Sequence, residues 1–348
     1  MDNSQTLGDI KKKVESYVGK FNALKAEIAR VIVGQQEIVE GALFALMAGG
    51  HVLLEGVPGL GKTLLVRTIG ETMGLDFARV QFTPDLMPAD IVGTNIIVEG
   101  ESGEKMFRFQ KGPVFTNLLL ADEINRATPK TQSALLEAMQ ERQVTVGGST
   151  YKLEGIFFVL ATQNPLEMEG TYPLPEAQLD RFIYKLLINY PSRVDLIEVL
   201  RRTTIEETPH AETIISPDDL AEMRKLVREV LIAPHVEEVA ADILLNTHPA
   251  NEGATDLVRR YVRFGASPRG AQAIVLTAKA RALLAGRYNV STSDIIAVAK
   301  PSLRHRIILN FEGEADAISS DAILDEVLES VSANRNLSRQ REAESSRA

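Results

Sequence analysis

The sequence predicts an α/β fold in which a doubly wound parallel sheet is followed by a small all-α domain. First, a glycine-rich loop lies between a short apolar run and a helical pattern. Second, several continuous apolar runs end in polar residues, as is typical of parallel strands buried on both faces. Third, strand-like runs stop near Pro191, and helical patterns follow. Together these features predict an α/β core with a helical domain after it.

The glycine-rich loop matches the pattern G-x-x-x-x-G-K-[ST] in full. The apolar run His51–Glu55 precedes the loop, and a helix start with Leu64 follows it. Its glycines let the backbone point N–H groups at phosphate oxygens, and the helix N-terminus adds partial positive charge. We expect Lys62 to reach the β- and γ-phosphates and the Thr63 hydroxyl to bind Mg²⁺. The loop consists of Gly56, Val57, Pro58, Gly59, Leu60, Gly61, Lys62 and Thr63.

Composition excludes several classes of protein. The 348 residues allow two or three domains, and the absence of cysteine excludes disulfides, thiolate metal sites and cysteine nucleophiles. A net charge of −9 argues against a mainly electrostatic nucleic-acid binder. No apolar run is long enough to span a membrane, and the N-terminus lacks a signal-peptide pattern. We therefore expect a cytoplasmic protein.

Helical periodicity predicts an N-terminal amphipathic helix over residues 1–30, ahead of a core domain over residues 31–191. A second helix ends at Gly49-Gly50. Beyond the glycine-rich loop, Phe77–Phe82 is predicted as a strand, and Pro84, Pro88 and Gly93 indicate a loop region. Two hairpins are expected. One pairs residues 95–98 with 106–109 around the polar tip 99–104, and the other pairs residues 144–146 with 150–153.

Two acids follow the apolar run Leu118–Ala121, at the point where a central strand ends. An acid in this place beside a phosphate loop can hold Mg²⁺, usually through water, so we assign that role to Asp122. The neighbouring Glu123 can orient and deprotonate the attacking water. Two solvated acids at a strand end are the alternative, but the phosphate loop favours the functional interpretation.

Three further polar residues are candidates. Asn164 follows the strand Ile156–Ala161, where its amide can bond both the γ-phosphate and water, although an Asn that caps a loop before proline is common. Arg181 carries a guanidinium suited to transition-state charge, or it pairs with a nearby acid. Arg269 is the second residue of a capped helix and is otherwise a surface arginine. The five histidines have no metal-ligand spacing.

Residues 192–312 are predicted as the helical domain, with four helical patterns. They comprise a helix capped by Ser216-Pro217, a helix over Val236–Leu245, a helix from Ser267-Pro268 to Leu284, and a helix from Ser291 to Lys300 stopped by Pro301. Residues 313–348 are predicted to form a C-terminal helix over Ala322–Val331 and a disordered tail from Ser332.

Taken together, the motifs resemble those of the AAA+ ATPases and, within them, the MoxR family. The resemblance covers roughly residues 30 to 310 and shows no departure in the core motifs; the N-terminal helix and the tail fall outside it. Its markers are the phosphate loop together with residues 33–35, 120–127, 161–165, 174–182, 265–269 and 303–306.

This resemblance implies roles for individual residues. Asn164 corresponds to sensor 1, Arg181 to an arginine finger acting on the neighbouring subunit's nucleotide, and Arg269 to sensor 2. Val33 and Gly34 would lie near the adenine of ATP. The segment 95–110 resembles the helix-2 insert, and the hairpin at 144–153 resembles the one before sensor 1. Members form hexameric rings and act as chaperone-like, Mg²⁺-dependent ATPases, often with von Willebrand factor A partners and a protein client.

Three alternatives remain open from the sequence. A P-loop kinase or GTPase shares only the phosphate loop, and the sequence has no guanine signature of the Asn-Lys-x-Asp type. An AAA+ protein that remodels nucleic acid, such as a helicase or transcription activator, shares the core, but the acidic charge disfavours it. A non-enzymatic, nucleotide-gated scaffold is disfavoured by the intact Glu123.

Overall fold

A computed structural model describes residues 3–99, 104–165, 170–204 and 210–345. The chain divides into two compact units. The first comprises Met1–Phe182 and Leu186–Lys225, and the second comprises Ile183–Lys185 and Leu226–Ala348, within the described ranges.

The first unit is built on a five-stranded sheet, of which only Tyr184 and Lys185 fall in the second unit. In spatial order its strands are β2 (Phe77–Gln81), β5 (Leu118–Asp122), β8 (Phe158–Gln163), β1 (Val52–Glu55) and β9 (Tyr184–Leu187). Its pairs β2–β5, β5–β8 and β8–β1 are all parallel. The central strands are apolar along their length, since water is excluded from both faces of a parallel sheet covered by helices. The doubly wound parallel sheet is confirmed.

Helices connect and cover these strands. The N-terminal amphipathic helix is present as α1, and it packs against α3. The helix α2 ends at Gly49, whose φ of 81° is the left-handed conformation that suits glycine at a helix C-terminus. The helices are α1 (Asn3–Val31), α2 (Gln36–Ala48), α3 (Lys62–Thr72), α4 (Pro88–Val92), α5 (Pro129–Glu141), α6 (Glu176–Leu179) and α7 (Arg193–Thr203). The short α4 corrects the predicted loop, because Pro88 starts a helical turn as readily as it breaks one.

Both predicted hairpins are present. β3 (Gly93–Glu99) pairs antiparallel with β4 (Lys105–Lys111), and β6 (Gln143–Val146) pairs antiparallel with β7 (Ser149–Lys152). Residues 100–103 of the predicted polar tip lie outside the described residues. The rings of Phe109 and Tyr151 stack at 3.9 Å between centroids, so the two hairpins contact each other.

His51 is a buried polar residue at the start of β1. Its Nδ1 accepts the Val159 N–H at 3.0 Å, and its Nε2 lies 3.2 Å from the Met139 carbonyl. This arrangement requires a neutral ring with the proton on Nε2. Burial is the main cause that lowers the pKa of His51 to about 4.

The predicted boundary at residues 191/192 differs from the structural one. The helix α7 and residues up to Lys225 belong to the first unit. Arg202 on α7 donates to the carbonyls of Ala29 and Arg30 at 2.9 and 2.7 Å, which ties this helix to α1. Helical pattern alone carries no information about which unit a helix packs on, so the division by contacts and the predicted boundary differ over residues 192–225.

The second unit is mostly helical and contains an ion cluster around a buried aspartate. Arg281 and Arg287 both contact the carboxylate of Asp294, which has no exposed side-chain surface. Burial by itself raises the pKa of Asp294, but hydrogen bonds from Arg287, from the hydroxyl and N–H of Ser291 and from Arg281 outweigh it and lower the pKa, so the carboxylate stays ionised. The helices are α8 (Pro217–Glu229), whose first part belongs to the first unit, α9 (Pro234–Leu245), α10 (Asp256–Tyr261), α11 (Pro268–Leu284), α12 (Thr292–Leu303), α13 (Phe311–Ala315) and α14 (Ser320–Ser345).

Three predictions for this part of the chain were wrong. Strands do not stop at Pro191, because β10 (Val262–Phe264) and β11 (Ile308–Leu309) form a short antiparallel pair. The helix α12 continues through Pro301 to Leu303, since a proline near the last turn removes only one helical hydrogen bond. The predicted tail from Ser332 is helical to Ser345. Few apolar residues argue against packing, but Arg, Gln, Glu and Ala favour helical backbone.

Candidate active site

The phosphate loop has the backbone that its sequence predicts. Gly59 and Gly61 have φ values of 84° and 76°, and Gly61 immediately precedes α3. A Cβ on Gly56 would lie 2.9 Å from the carbonyl oxygen of Ile188, so a larger residue would force these backbones apart. The loop therefore depends on glycine for left-handed conformation at two positions and for close approach at a third.

Lys62 lies folded over its own loop. Its Nζ donates to the carbonyl oxygen of Gly56 at 2.5 Å. The ammonium thus stands at the centre of the loop, where a phosphate bound by the loop's N–H groups would meet it.

A cavity of about 480 Å³ adjoins the loop. Parallel strands place their carboxyl ends at one edge of the sheet, so residues that follow β1, β5 and β8 meet there. The cavity brings together predicted residues from all three places, along with two residues of β2. Its lining consists of Pro58, Gly59, Gly61, Lys62, Thr63, Leu64, Arg79, Gln81, Asp122, Glu123 and Asn164.

The two acids of the cavity are held by different partners. Asp122 accepts two hydrogen bonds on Oδ2 from Arg79, at 3.1 Å from Nε and 2.7 Å from Nη2. Glu123 accepts on Oε2 from Gln81 at 2.6 Å and from Arg126 at 3.1 Å. Each carboxylate thus accepts from a guanidinium, and such charge-assisted hydrogen bonds are stronger than those between neutral groups.

Thr162 on β8 connects the two acids. Its buried hydroxyl donates to Oδ1 of Asp122 at 2.7 Å and accepts the backbone N–H of Glu123 at 2.8 Å. Glu123 has a φ of 56°, a left-handed conformation that is unfavourable for a residue with a side chain. Such local strain is concentrated at functional sites, and here the hydrogen bond from Glu123 to Thr162 supports it.

A divalent cation suits the oxygen donors of this cavity. The hydroxyl of Thr63 and the carboxylate of Asp122 are hard ligands of the kind Mg²⁺ prefers, and nucleotide phosphates and water usually complete its shell. No group of three or more His, Cys, Asp or Glu side chains able to hold a metal occurs within residues 3–99, 104–165, 170–204 and 210–345.

Asn164 is buried and lines the same cavity, as its position after β8 predicts. The segment before α2 reaches the loop through Gln35, whose Nε2 donates to the Leu60 carbonyl at 3.1 Å. Gly34 does not line the large cavity; it borders a second one of about 240 Å³ between α1 and α2. Val33 immediately precedes Gly34 in this segment.

The two candidate arginines do not line the phosphate-loop cavity. Arg181 donates through Nη1 to the Leu136 carbonyl at 2.7 Å, and its buried Nε has no hydrogen-bond partner among the described residues. Arg269 is exposed in the first turn of α11, in the second unit.

Sequence reasoning missed four residues that contact the acids: Arg79, Gln81, Arg126 and Thr162. Arg79 and Gln81 share one face of β2, and this strand pairs with β5 so that Gln81 lies opposite Asp122. Polar residues at two alternate positions of an otherwise apolar strand were the available signal. To relate these residues to the acids, the order of the strands in the sheet must be known, and the sequence alone did not predict that order.

Comparison with known proteins gives consistent results along the chain. Residues 51–184 match the family model described as "ATPase family associated with various cellular activities (AAA)". Residues 254–327 match an AAA lid domain. None of the described helices is long and apolar enough to cross a membrane.

Individual relatives cover most of the chain. Chaperone MoxR1 of Mycobacterium tuberculosis is 44% identical over 305 residues, which are 88% of this chain and 80% of the relative. Protein MoxR of Methylorubrum extorquens is 32% identical over 299 residues, covering 81% and 86% of the two chains. The crystal structure of a protein from Cytophaga hutchinsonii superposes with a TM-score of 0.87 at 42% identity, covering 93% of this chain and 98% of that one.

Proposed function

The chain is a member of the MoxR family of AAA+ ATPases, and from that membership we propose that it hydrolyses ATP to ADP and phosphate in a Mg²⁺-dependent reaction. One observation carries the proposal. A single cavity joins the phosphate-binding residues Lys62 and Thr63 to two acids, Asp122 and Glu123. Phosphoryl transfer needs positioned phosphates, charge neutralisation and an oriented water, and these residue types supply them.

Binding is assigned to the loop and its neighbours. The N–H groups of the loop and of the first turn of α3 would bind the β- and γ-phosphates, and Lys62 would leave the Gly56 carbonyl to contact them. Residues 56–64 therefore form the phosphate site. We assign Val33 and Gly34 to the neighbourhood of the adenine, because Gln35 ties their segment to Leu60 of the loop.

Chemistry is assigned to the acids. Thr63 and Asp122 would hold Mg²⁺, which when bound neutralises charge that develops on the phosphate oxygens. Glu123 would accept the proton of the attacking water, and Asn164 would orient that water by its side-chain amide. In the described contacts Glu123 is held by Gln81 and Arg126, so its carboxylate must turn from them to reach a water.

We assign the remaining contacts with the γ-phosphate to two arginines, Arg181 and Arg269. We place Arg181 against the γ-phosphate of the next subunit in a hexameric ring. Its unsatisfied Nε supports a further partner, since a buried donor without a hydrogen bond is costly. Arg269, on the lid domain that matches its family model from residue 254 onward, is assigned to sensing the γ-phosphate.

The work done with ATP is proposed to be remodelling or maturation of a protein client in the cytoplasm, together with a von Willebrand factor A-domain partner. The name of the chaperone MoxR1 supports a protein client. The net charge of −9 supports a protein over nucleic acid, because phosphate contacts dominate nucleic-acid affinity. Salt-sensitive stimulation of hydrolysis by DNA would instead favour a nucleic-acid remodeller.

The proposal is tested by phosphate release from Mg·ATP, with excess EDTA and the Asp122→Asn protein as controls. We expect turnover that EDTA and the substitution both suppress, and a particle mass six times that of the chain in the presence of ATP. Equal turnover with and without free divalent metal would contradict the metal assignment.

A further inference from the structure

Arg79 contacts the acid to which we assign the metal. Two nitrogens of its guanidinium, Nε and Nη2, converge on Oδ2 of Asp122 at 3.1 and 2.7 Å. The Asp122 side chain is only 14% exposed, whereas that of Arg79 is 47% exposed. A largely buried carboxylate is thus neutralised by a cation that lies at the solvent edge of the cavity and has room to move away.

The same guanidinium also orients the partner of the second acid. Nη2 of Arg79 donates to Oε1 of Gln81 at 2.7 Å. An amide whose oxygen accepts from Arg79 must present its NH₂ group on the other side, and Nε2 of Gln81 donates to Glu123 at 2.6 Å. One arginine on β2 therefore connects to both acids, to one directly and to the other through an amide.

The two carboxylate oxygens of Asp122 have partners of different kinds: one partner is fixed in the core, and the other can be exchanged for a metal ion. Oδ1 accepts from Thr162, which is fully buried on the central strand β8. Oδ2 is occupied by Arg79, on the edge strand β2. Because a carboxylate oxygen cannot carry two guanidinium hydrogen bonds and also face a hydrated divalent cation closely, Arg79 and the metal compete for it.

We propose that Arg79 is a positioning residue that occupies Oδ2 of Asp122 while the site lacks metal and releases it when Mg·ATP binds. This inference rests on the proposed function. It adds that metal binding carries the cost of breaking a charge-assisted ion pair, and that Gln81 loses the contact that orients it toward Glu123 when Arg79 moves. Metal binding at Asp122 is thereby coupled to release of the Glu123 carboxylate from its hydrogen bond with Gln81.

The test uses the full chain and ATPγS, which is hydrolysed slowly, so that binding rather than turnover is measured. Calorimetry gives the Kd of ATPγS in EDTA and in saturating Mg²⁺, and the ratio of the two reports how strongly metal assists binding. In Arg79→Met no cation competes for Asp122, so we expect this ratio to rise about five- to tenfold over wild type. Arg79→Lys keeps the positive charge but cannot place two nitrogens on Oδ2 of Asp122. Its ratio should therefore also rise, but by a smaller factor.

Arg126→Met is the matched control, since it removes one positive charge beside Glu123 and leaves Asp122 untouched. Its ratio should change less than twofold. An unchanged ratio in Arg79→Met, or an equal change in Arg126→Met, overturns the inference, the second because it would reflect net charge alone. Loss of ATPγS binding in EDTA by Arg79→Met would make Arg79 a phosphate ligand and also overturn it. A wild-type ratio near one, or an Asp122→Asn ratio equal to wild type, would instead contradict the proposed metal site.

Discussion

The buried hydroxyl of Thr162 donates a 2.7 Å hydrogen bond to Oδ1 of Asp122, one strand away. The same oxygen accepts the N–H of Glu123, the next residue along the chain. A single side chain thus fixes the carboxylate assigned to the metal and the strained backbone of the proposed base. The orientation of both acids therefore involves Thr162 as well as the backbone that joins them.

Replacing this hydroxyl by a methyl group in Thr162→Val should impair chemistry more than binding. The shape is conserved, but Asp122 loses a donor and the N–H of Glu123 loses its acceptor, at roughly 1–3 kcal/mol for an unsatisfied buried group. We expect kcat to fall about tenfold or more, because misplaced catalytic groups are costly. The Kd of ATPγS should change less than kcat. Thr162→Ser keeps the hydroxyl and should retain most of the turnover. Wild-type kcat in Thr162→Val would show that Thr162 does not position the acids for catalysis.

Lys62→Ala should bind ATP about 10- to 100-fold more weakly. A hydrogen bond to a charged group contributes roughly 1.5–3 kcal/mol, and the phosphates lose their fixed cation. Calorimetry measures the change, and Lys130→Ala, an exposed lysine at the start of α5, is the control for loss of one charge. Identical affinities in the three proteins would show that the phosphates bind elsewhere.

Stability of the chain should decrease between about pH 6.5 and pH 4 because of His51. Burial lowers its pKa in the folded protein to about 4, and the unfolded value is 6.5. In this interval the unfolded chain binds the additional proton, so the free energy of unfolding falls as pH falls, by up to roughly 1.4 kcal/mol per pH unit. Below the folded pKa no further loss arises from this group.

Urea unfolding at pH 7, 6 and 5, followed by circular dichroism, measures this dependence. His51→Gln has no titrating ring, so its unfolding free energy should vary less over the same interval, even though its stability at pH 7 is lower. Parallel pH profiles for the two proteins would show that His51 does not carry the effect.

Much of the core was predictable, because the residues that determine the conformation of each segment are neighbours in the sequence. The continuous apolar run of β5 and the glycines of the loop each specify a conformation through neighbouring residues alone. The confirmed parallel sheet then brings Lys62, Asp122 and Asn164 to one cavity without further assumptions. Strand ends at one edge of a sheet were a sufficient guide to these positions.

Features that depend on tertiary contacts were not predictable. Arg79 was not identified from the sequence, since its partner Asp122 lies 43 positions away and becomes adjacent only when β2 pairs with β5. The packing of α7 on α1 was not identified for a related reason, as Arg202 donates to carbonyls of α1 that are more than 170 residues distant. In both cases the partner of a polar side chain lies far away in the sequence, so residue spacing does not identify the contact.

Arg181→Ala should bind ATP and hydrolyse it poorly. An arginine supplied by a neighbouring subunit can be worth about 10³ to 10⁵ in rate, since its charge assists the transition state more than the ground state. Mixing this protein with Lys62→Ala separates action between subunits from action within one. Each variant alone should be nearly inactive, and mixed rings should regain activity where an intact Lys62 faces an intact Arg181.

Native mass spectrometry establishes that mixed rings form, and phosphate release measures their activity. Mixed rings without any regained turnover would place Arg181 within its own subunit. Its bond to the Leu136 carbonyl would then be its structural role.

We assign ATP hydrolysis to the cavity that Lys62 and Glu123 line. The most direct measurement is phosphate release by Glu123→Gln, made beside the ATP affinity of the same protein. The amide keeps the size of the side chain but cannot accept the proton of water. We expect ATP binding close to wild type with turnover reduced by about two orders of magnitude or more, within the range of about 10²- to 10⁴-fold typical of a general base. Wild-type turnover in Glu123→Gln would contradict this assignment.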